Sequence, residues 1–526
     1  MKTLKKFMVF VIALVMILPL TAVTVNAETK YTITIKKANS DKAAHTYQAY
    51  QIFTGTLDAT GQKLTNIQWG SGIDSTKKGQ LASDINSLTG GSLTDSSSAD
   101  DFASAITNLN TNDDDEKTQK IAVAIGKALS GSASGEGTVG VNGTSATISG
   151  LPAGYYLIKD KDASLNNVED GAYTRFILKV LSNVELKEKA ELPTFEKKIK
   201  DTNDTIGTTT EWQDSADYDI GDNVPFELVG TVPSNYRDFD HYYFAFHDVE
   251  ETGLTFNAGS VKVYVGDTLI NSSKYEVKSG GLSDGCTFEV IFKDLKNVSG
   301  VTADSKIRVE YTSKLNQNAK LGNEGNLNKA QLEFSNNPNN TGNGTAKPSD
   351  TGYTPWDNVI VFTYQVVVNK YANSVAESNK LSGAAFTLSK KLKGGSTTDI
   401  AVVKSTDGCT FTFKGLDDGE YVLKETTTPS GYNTISPIEF AVNADHSVTW
   451  NGQNRENVLT SLTSTSGQVT GDKATGNLTS NVINKSGSTL PSTGGIGTRI
   501  FYIIGGLLMV AAAILLITKI RFHKNK

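Results

Sequence analysis

Cysteine is nearly absent from this chain of 526 residues, which has only two, and methionine and tryptophan are scarce with four of each. Two cysteines cannot build the disulfide framework of a small secreted scaffold. The net charge of −6 is mild and no basic patch stands out, which argues against a nucleic-acid partner. The five histidines are scattered, and we interpret His241 and His247, in one aromatic-rich stretch, as packing residues. The sequence therefore predicts no metal, no cofactor and no turnover enzyme.

The two cysteines, Cys286 and Cys409, stand in the same phrase, Asp-Gly-Cys-Thr-Phe, in different parts of the chain. The simplest interpretation is two independent positions where a turn enters a strand, with no bridge between them. Stability must then come from another source.

Long apolar runs occur only at the two ends of the chain. At the N-terminus, a lysine-rich start, an apolar run over Phe7–Leu20 and the small-residue site Val25-Asn26-Ala27 follow in that order. This order is typical of a secretory signal peptide, so we predict that residues 1–27 are removed. A buried helix is the ordinary alternative.

The C-terminal end has an equally ordered pattern over residues 487–526. Leu490-Pro491-Ser492-Thr493-Gly494 precedes an uncharged stretch, 500–518, and a basic tail, 519–526. The uncharged stretch is long enough to cross a membrane as a helix, and the basic tail would stay on the cytoplasmic side. The alternative is a single-span membrane protein with a chance pentapeptide.

Strand signals dominate the region between the two ends. Short alternating runs bounded by Gly, Asn and Asp recur, as in Tyr31–Ile35, Val261–Val265 and Phe362–Val368. Helical patterning is confined to Ser75–Ser130. The sequence therefore predicts an all-β protein with one helical insertion.

Domain boundaries are predicted at Pro193 and in the Asn-, Gly- and Pro-rich stretch 336–355. They give domains at 28–192, 193–347 and 348–486. Residues 150–160 (GLPAGYYLIKD) align with residues 415–425 (GLDDGEYVLKE), which indicates two copies of one β-module, in the first and third domains.

The motifs resemble those of a known family. The C-terminal pattern resembles the cell-wall sorting signal read by sortases. Residues Lys370, Leu381–Phe386, Tyr421–Thr426 and Asn484 resemble the collagen-adhesin B-type module of Gram-positive surface proteins. Together with His45–Phe53 and Asn328–Pro338, they make the whole chain similar to LPXTG-anchored major (backbone) pilins of sortase-assembled pili. The resemblance implies tandem immunoglobulin-like, Greek-key β-sandwich domains in an elongated array, with a helical insertion in the first.

The resemblance also implies internal lysine–asparagine isopeptide bonds. In the third domain Lys370 alternates with Val366 and Val368, so it should face the core; the resemblance makes Lys370 the nucleophile, Asn484 the acceptor and Glu425 the assisting acid. An ordinary surface lysine, acid and turn asparagine are the alternative reading.

The resemblance implies a second set in the middle domain, with Lys197 as nucleophile, Asn328 as acceptor and Asp248 as acid. Lys197 shares a strand face with Phe195 and Ile199, whereas the phase of Lys198 points it outward. In the first domain Lys37, Asp160 and Asn183 are possible counterparts, but we do not predict a bond there.

The resemblance finally implies that a sortase cuts between Thr493 and Gly494 and joins Thr493 to a lysine of the next subunit. We predict Lys189, with Lys187 as second choice, although no YPK-like phrase is present. Implied partners are pilus-type and housekeeping sortases, other copies of the chain, minor pilins, peptidoglycan and host surface ligands. The chain would be a secreted cell-wall pilus subunit whose only chemistry is its own single-turnover cross-linking. A monomeric wall-anchored adhesin or a minor tip or base pilin is the rival interpretation.

Overall fold

The structure, a computed structural model, describes residues 29–109, 116–188, 191–450, 452–487 and 496–524. The predicted signal peptide, LPSTG and Lys189 lie outside these residues. The chain divides into two compact units, Met1–Ala190 with Asn336–Asn339, and Glu191–Ser335 with Asn340–Lys526. The two predicted boundaries between the three domains remain predictions.

The first unit combines strands with a helical insertion. Its strands are β1 (Tyr31–Lys36), β2 (His45–Leu57), β3 (Leu64–Trp69), β4 (Gly135–Val139), β5 (Ser145–Leu151), β6 (Gly154–Asp160), β7 (Val168–Glu169), β8 (Arg175–Val180) and β9 (Val184–Lys187). One sheet has the order β5-β1-β9, and the other has the order β3-β2-β6-β8 with β4 also on β2. Strand β1 pairs in parallel with β9 and antiparallel with β5.

The insertion consists of α1 (Lys78–Thr89), α2 (Ala99–Thr107) and α3 (Glu116–Lys127). Ser98 caps α2 in a reciprocal capping box with Asp101, which satisfies amide donors at the helix start. Phe102 on α2 packs edge-on against Trp69, and both belong to an apolar cluster beneath the helices. The predicted helical insertion is therefore confirmed.

The first part of the second unit forms two further sheets. Its strands are β10 (Thr194–Ile199), β11 (Thr202–Asn203), β12 (Thr208–Thr209), β13 (Ser215–Asp217), β14 (Asn223–Thr231), β15 (Phe244–Glu250), β16 (Leu254–Phe256), β17 (Lys262–Val265), β18 (Thr268–Leu269), β19 (Glu276–Ser279), β20 (Phe288–Phe292), β21 (Lys306–Leu315), β22 (Asn326–Ser335), β23 (Thr351–Tyr353) and β24 (Asp357–Phe362). The sheets have the orders β10-β14-β21-β17-β18 and β13-β24-β22-β15-β20-β19. Alternate inward side chains from both sheets fill one core, rich in phenylalanine and tyrosine.

The second part of this unit is a separate sandwich. Its strands are β25 (Tyr364–Ala372), β26 (Ala385–Lys391), β27 (Thr397–Ile400), β28 (Val402–Lys404), β29 (Thr410–Leu416), β30 (Gly419–Thr427), β31 (Ile438–His446), β32 (Leu459–Ser464), β33 (Thr470–Asp472) and β34 (Asn477–Asn484). The sheet orders are β28-β29-β25-β34-β33 and β27-β26-β30-β31-β32, and they enclose their own core. The all-β class is therefore confirmed.

The repeated phrase folds alike in both copies. Gly150 and Gly415 both have left-handed backbone angles, φ 79° and 86°, which a residue with a Cβ adopts only with strain. After each turn, a buried tyrosine hydroxyl donates to the backbone carbonyl four residues earlier, Tyr156 to Pro152 and Tyr421 to Asp417. The shared turn and tyrosine contact support the predicted internal repeat.

Beyond the second sandwich lies one long helix, α4 (Ile496–Lys524). Its segment Ile500–Ile517 has a mean hydropathy of 2.8 and is long enough to cross a membrane. This agrees with the span predicted at 500–518.

Candidate functional site

The first candidate set lies in the sandwich of β25–β34, the last sandwich of the chain, where its first and final strands run side by side. Strands β25 and β34 pair in parallel, and in this register Lys370 is opposite Val482 while Ala372 is opposite Asn484. Because alternate residues share a face, Lys370 and Asn484 are diagonal neighbours on the core side. Both are fully buried.

Glu425, on β30 of the opposite sheet, connects the two. Its Oε1 accepts a hydrogen bond from Asn484 Nδ2 at 2.8 Å and lies 3.8 Å from Lys370 Nζ. Its Oε2 accepts from the Ile435 amide at 3.1 Å. The carboxylate is thus held in place by groups other than the amine.

Two polar atoms of this set have no hydrogen-bond partner: Lys370 Nζ and Asn484 Oδ1. Burial lowers the pKa of Lys370, although Glu425 acts in the opposite direction. A buried amine without partners is costly as an ammonium ion. The surroundings therefore favour the neutral amine, which is the nucleophilic form.

The second set lies inside the phenylalanine- and tyrosine-rich core. Lys197 on β10 is fully buried; its Nζ lies 2.5 Å from Asp248 Oδ2 and 2.7 Å from the Tyr311 hydroxyl. The neighbouring Lys198 is partly exposed, with 29% of its side chain accessible, and contacts Asp214. Asn328 Nδ2 donates to the same Tyr311 hydroxyl at 2.9 Å. Amine and amide therefore meet at one hydroxyl group.

Register explains how the acids reach this point. Strands β15 and β22 pair so that Glu250 is opposite Asn328 and Asp248 is opposite Ala330. Asp248 and Asn328 are therefore diagonal on the inward face, and Lys197 approaches from the other sheet. Asn328 Oδ1 and Asp248 Oδ1 are buried without a partner.

Burial controls the charges here. It lowers the pKa of Lys197, against the attraction of Asp248, and raises the pKa of Asp248, against the contact with Lys197. Burial and the nearby Asp248 raise the pKa of Glu250 to about 8. A neutral amine beside a protonated acid is the state that burial favours.

Sequence reasoning did not identify Tyr311 or Glu250. Tyr311 bridges amine, acid and amide, and Glu250 Oε1 accepts from Ser313 and lies 3.4 Å from Asn328 Nδ2. Glu250 could have been found, because it alternates with Asp248 on one strand.

The possible counterparts in the first unit are not brought together. Lys37 Nζ donates to the carbonyls of Ala43 and Val141, and Asn183 is exposed. Asp160 instead contacts His45 Nδ1 at 2.8 Å. Among the described contacts, none joins any two of Lys37, Asp160 and Asn183.

A buried ionic cluster occupies this region of the first unit. His45 Nδ1 lies 3.4 Å from Glu188 Oε1, and Nε2 lies 3.0 Å from Asp41 Oδ1. Burial alone would lower the pKa of His45, but hydrogen bonds with Asp160 and Asp41 outweigh it and raise the pKa to about 10. Burial raises the pKa of Glu188 to about 7 against the attraction of His45. The cluster therefore connects Glu188, which follows β9, to His45 on β2 and Asp160 on β6.

Lys187, the second-choice linking lysine, is exposed at the end of β9. It is accessible to solvent on the described surface. The preferred Lys189 lies outside the described residues, as does the LPSTG motif.

Models of protein families match three segments of the chain. Residues 220–338 match the Cna-B-like domain of Gram-positive pilin backbone subunit 2. Residues 364–456 match a prealbumin-like fold domain, and residues 483–526 match the LPXTG cell wall anchor motif.

Known proteins are similar as well. The trypsin-resistant surface T6 protein of Streptococcus pyogenes serotype M6 is 27% identical over 263 residues, which cover 47% of this chain and 44% of that relative. The match thus spans less than half of the relative's length. A solved structure of the T6 backbone pilin of serotype M6 S. pyogenes, described as a modular three-domain protein, aligns with a TM-score of 0.55 and 17% identity. It covers 88% of this chain and 100% of that one, and shows the fold.

Proposed function

We propose that this chain, which belongs to the LPXTG-anchored backbone pilins of Gram-positive bacteria, is the shaft subunit of a covalent pilus on the cell wall. Two features support the proposal: the match of residues 220–338 to a pilin backbone domain and that of residues 483–526 to the cell-wall anchor. The partners would be sortases, other copies of the chain, minor pilins and peptidoglycan.

Polymerisation would proceed by acyl transfer. A sortase cysteine attacks the carbonyl of Thr493, the bond to Gly494 breaks, and the C-terminal helix is released with a new amine terminus. The amine of Lys189 in the next copy then displaces the cysteine and forms an amide with Thr493. Because the acyl donor, Thr493, and the acceptor, Lys189, are different residues of the subunit, the contact would be heterologous and would propagate as a fibre.

Internal cross-linking would stabilise each subunit. The observation that carries this proposal is that a buried amine, Lys370 Nζ, and a buried amide oxygen, Asn484 Oδ1, both lack a hydrogen-bond partner although both side chains lie beside Glu425. In the middle set Lys197, Asn328 and Asp248 would play the same roles.

The chemistry of the bond is balanced without a cofactor. The neutral lysine nitrogen attacks the side-chain carbonyl carbon of asparagine, and the acid polarises that carbonyl. One proton passes from the lysine nitrogen through the acid to the leaving nitrogen. The carbon–nitrogen bond of the asparagine amide breaks, ammonia leaves, and a secondary amide remains.

Polymerisation is tested in cells that carry the pilus sortase. Wall extracts boiled in detergent should show a ladder of multimers, which Lys189→Ala abolishes and Lys187→Ala, the matched control, preserves. A ladder that survives Lys189→Ala but not Lys187→Ala would transfer the acceptor role to Lys187. A single monomer band in the unmodified strain would contradict the shaft function.

Internal bonds are tested separately by intact mass. The purified chain should weigh less than its sequence by one ammonia per bond, and tandem mass spectra should join the peptides that contain Lys370 and Asn484. An unmodified mass would reject the internal bonds and leave the polymerisation result intact.

A further inference from the structure

A cluster of potential metal ligands lies on the outer face of strand β15, behind the residue Asp248. His247 points away from the core that Phe246 and Asp248 face, because alternate strand residues point to opposite sides. It is buried nonetheless, with 6% of its side chain exposed. The hairpin that joins β19 to β20 brings Asp284 and Cys286 to it.

The distances around His247 Nδ1 are those of a ligand set. Asp284 Oδ2 lies 3.0 Å from Nδ1, Glu289 Oε1 lies 3.4 Å from it, and Cys286 Sγ lies 3.7 Å from it. Ligand atoms of His247, Asp284 and Cys286 all lie within 4.8 Å of one another. In a tetrahedral zinc site, bonds of about 2.0–2.3 Å place ligand atoms about 3.3–3.7 Å apart.

The other ring nitrogen of His247 is held by a carboxylate. Nε2 lies 3.0 Å from Glu333 Oε2, and the other oxygen of Glu333 accepts a hydrogen bond from Thr351. Metal-binding histidines commonly donate their free ring N–H to such a carboxylate, which fixes the tautomer and the ring orientation. With Nε2 as the donor, Nδ1, which lies 3.0 Å from Asp284 Oδ2, can give its lone pair to a metal ion on the hairpin side.

The second cysteine phrase provides an internal comparison. In both copies an aspartate accepts a hydrogen bond from the cysteine amide, Asp284 from Cys286 and Asp407 from Cys409. The sulfur of Cys409, however, contacts the backbone carbonyl of Asp407 and is buried. The turn alone therefore accounts for the phrase, but not for the histidine and carboxylates that gather around Cys286.

We propose that His247, Asp284 and Cys286 bind one divalent cation of the zinc class, and that Glu333 orients His247. Thiolate, imidazole and carboxylate together suit Zn²⁺ better than Ca²⁺ or Mg²⁺, which prefer oxygen ligands. Binding converts the Cys286 thiol to a thiolate and releases its proton to solvent. The ion would fasten the hairpin to the strand that carries Asp248. Zinc binding at this site would require neither polymerisation nor the internal bonds.

Zinc titration of the full chain tests the site. The protein is purified in detergent, stripped with a chelator under reducing conditions, and titrated calorimetrically with Zn²⁺ and, separately, with Ca²⁺. We expect one Zn²⁺ per chain and at least ~10-fold weaker binding in both Cys286→Ser and His247→Gln, since each removes a direct ligand. Cys409→Ser, the matched control, should bind as the unmodified chain does.

Alkylation provides a readout that does not require a variant to fold. Zn²⁺ should slow the modification of Cys286 by iodoacetamide, measured peptide by peptide, and leave the rate at Cys409 unchanged. Absence of zinc binding, equal binding in Cys286→Ser, or equal alkylation of Cys286 with and without Zn²⁺ would each overturn the proposal. His247 would then belong to an imidazolium–carboxylate network with the thiol as a bystander.

Discussion

The two candidate cross-linking sets of the second unit place the same residue types in different positions within a sandwich. In the last sandwich, Lys370 and Asn484 lie on strands that pair directly within one sheet. In the middle set, Lys197 and Asn328 lie on strands of two different sheets. The first bond would tie neighbouring strands, whereas the second would tie one sheet to the other through the core.

The two lysine amines also differ in their hydrogen-bond partners. Lys370 Nζ has no hydrogen-bond partner, whereas Lys197 Nζ contacts both Asp248 and Tyr311. The comparison teaches that burial is the common requirement, since it lowers the pKa of both lysines. The hydroxyl and the additional acid are features of the middle set alone.

The largest expected effect is that of Glu425→Ala, because the last sandwich has only this acid beside its amine among the described contacts. We expect the mass deficit of one ammonia to disappear from this region. Losing a cross-link that closes a loop of ~100 residues should lower the free energy of unfolding by about 4.7 kcal/mol. Intact mass and urea unfolding measure both.

Glu420→Ala is the matched control, since Glu420 is exposed on the same strand. It should keep the deficit and the stability. If the Glu425→Ala chain still shows the mass deficit of one ammonia in the last sandwich, this acid is dispensable for the bond.

The middle set allows its two acids to be separated. Asp248→Asn should abolish the middle bond, because Asp248 contacts the amine directly. Glu250→Gln should keep it, because Glu250 contacts the amide only at 3.4 Å. Peptide mapping of the Lys197–Asn328 linkage distinguishes the outcomes, and loss of the bond in Glu250→Gln alone would reverse the roles.

The first unit differs from both sets, since its buried region holds an ionic cluster rather than an assembled lysine–acid–asparagine set. The pKa of His45 is raised to about 10 and that of Glu188 to about 7, so the folded state binds more protons than the unfolded state between about pH 4.5 and about pH 10. The stability of this unit should therefore fall by several kcal/mol as pH rises through that window.

The unfolding of this unit in urea can be followed by the fluorescence of Trp69, once the other tryptophans are replaced by phenylalanine. His45→Gln should flatten the pH dependence above about pH 6.5. His241→Gln, at a histidine 38% exposed, is the control and should not. Stability that is constant or rises with pH would reject the charged state of His45.

The smallest effect is expected from Tyr311→Phe, which makes the middle set resemble the last one. The bond should still form, but more slowly after refolding. The chain before cross-linking should lose about 1–2 kcal/mol, since Asp248 and Asn328 each lose a hydrogen bond. A time course of ammonia loss, followed by mass spectrometry, measures the rate. An unchanged rate would show that the Tyr311 hydroxyl does not contribute to bond formation.

Much of this arrangement could be predicted because strand residues alternate. Period-2 alternation alone places Lys370 with Val366 and Val368, and the structure buries all three. It likewise separates the buried Lys197 from Lys198. The helical insertion was evident because its apolar spacing differs from that of the flanking strands.

The site residues that could not be predicted from the sequence are those whose contacts depend on which strands face each other. Tyr311 alternates with Val309 and Ser313, so its inward direction was readable, but its contact with Lys197 depends on how the strands are ordered in space. The carboxylates and the thiol around His247 were missed for the same reason. Asp284 and Cys286 come from a hairpin that is distant in sequence and, like Glu289 on β20, reach the histidine only through the β15–β20 pairing.

The parallel pairing of β25 with β34 has a mechanical consequence. If the subunits are joined as proposed, a pull along the filament would enter the last sandwich through the start of β25 and leave through the end of β34, at Asn484. With Lys370 bonded to Asn484, the load path would bypass the sandwich between these residues, including its opposite sheet. That part of the subunit would carry no load under tension, so the filament would not extend there. Its exposed loops would keep their shape while flow pulls on the cell.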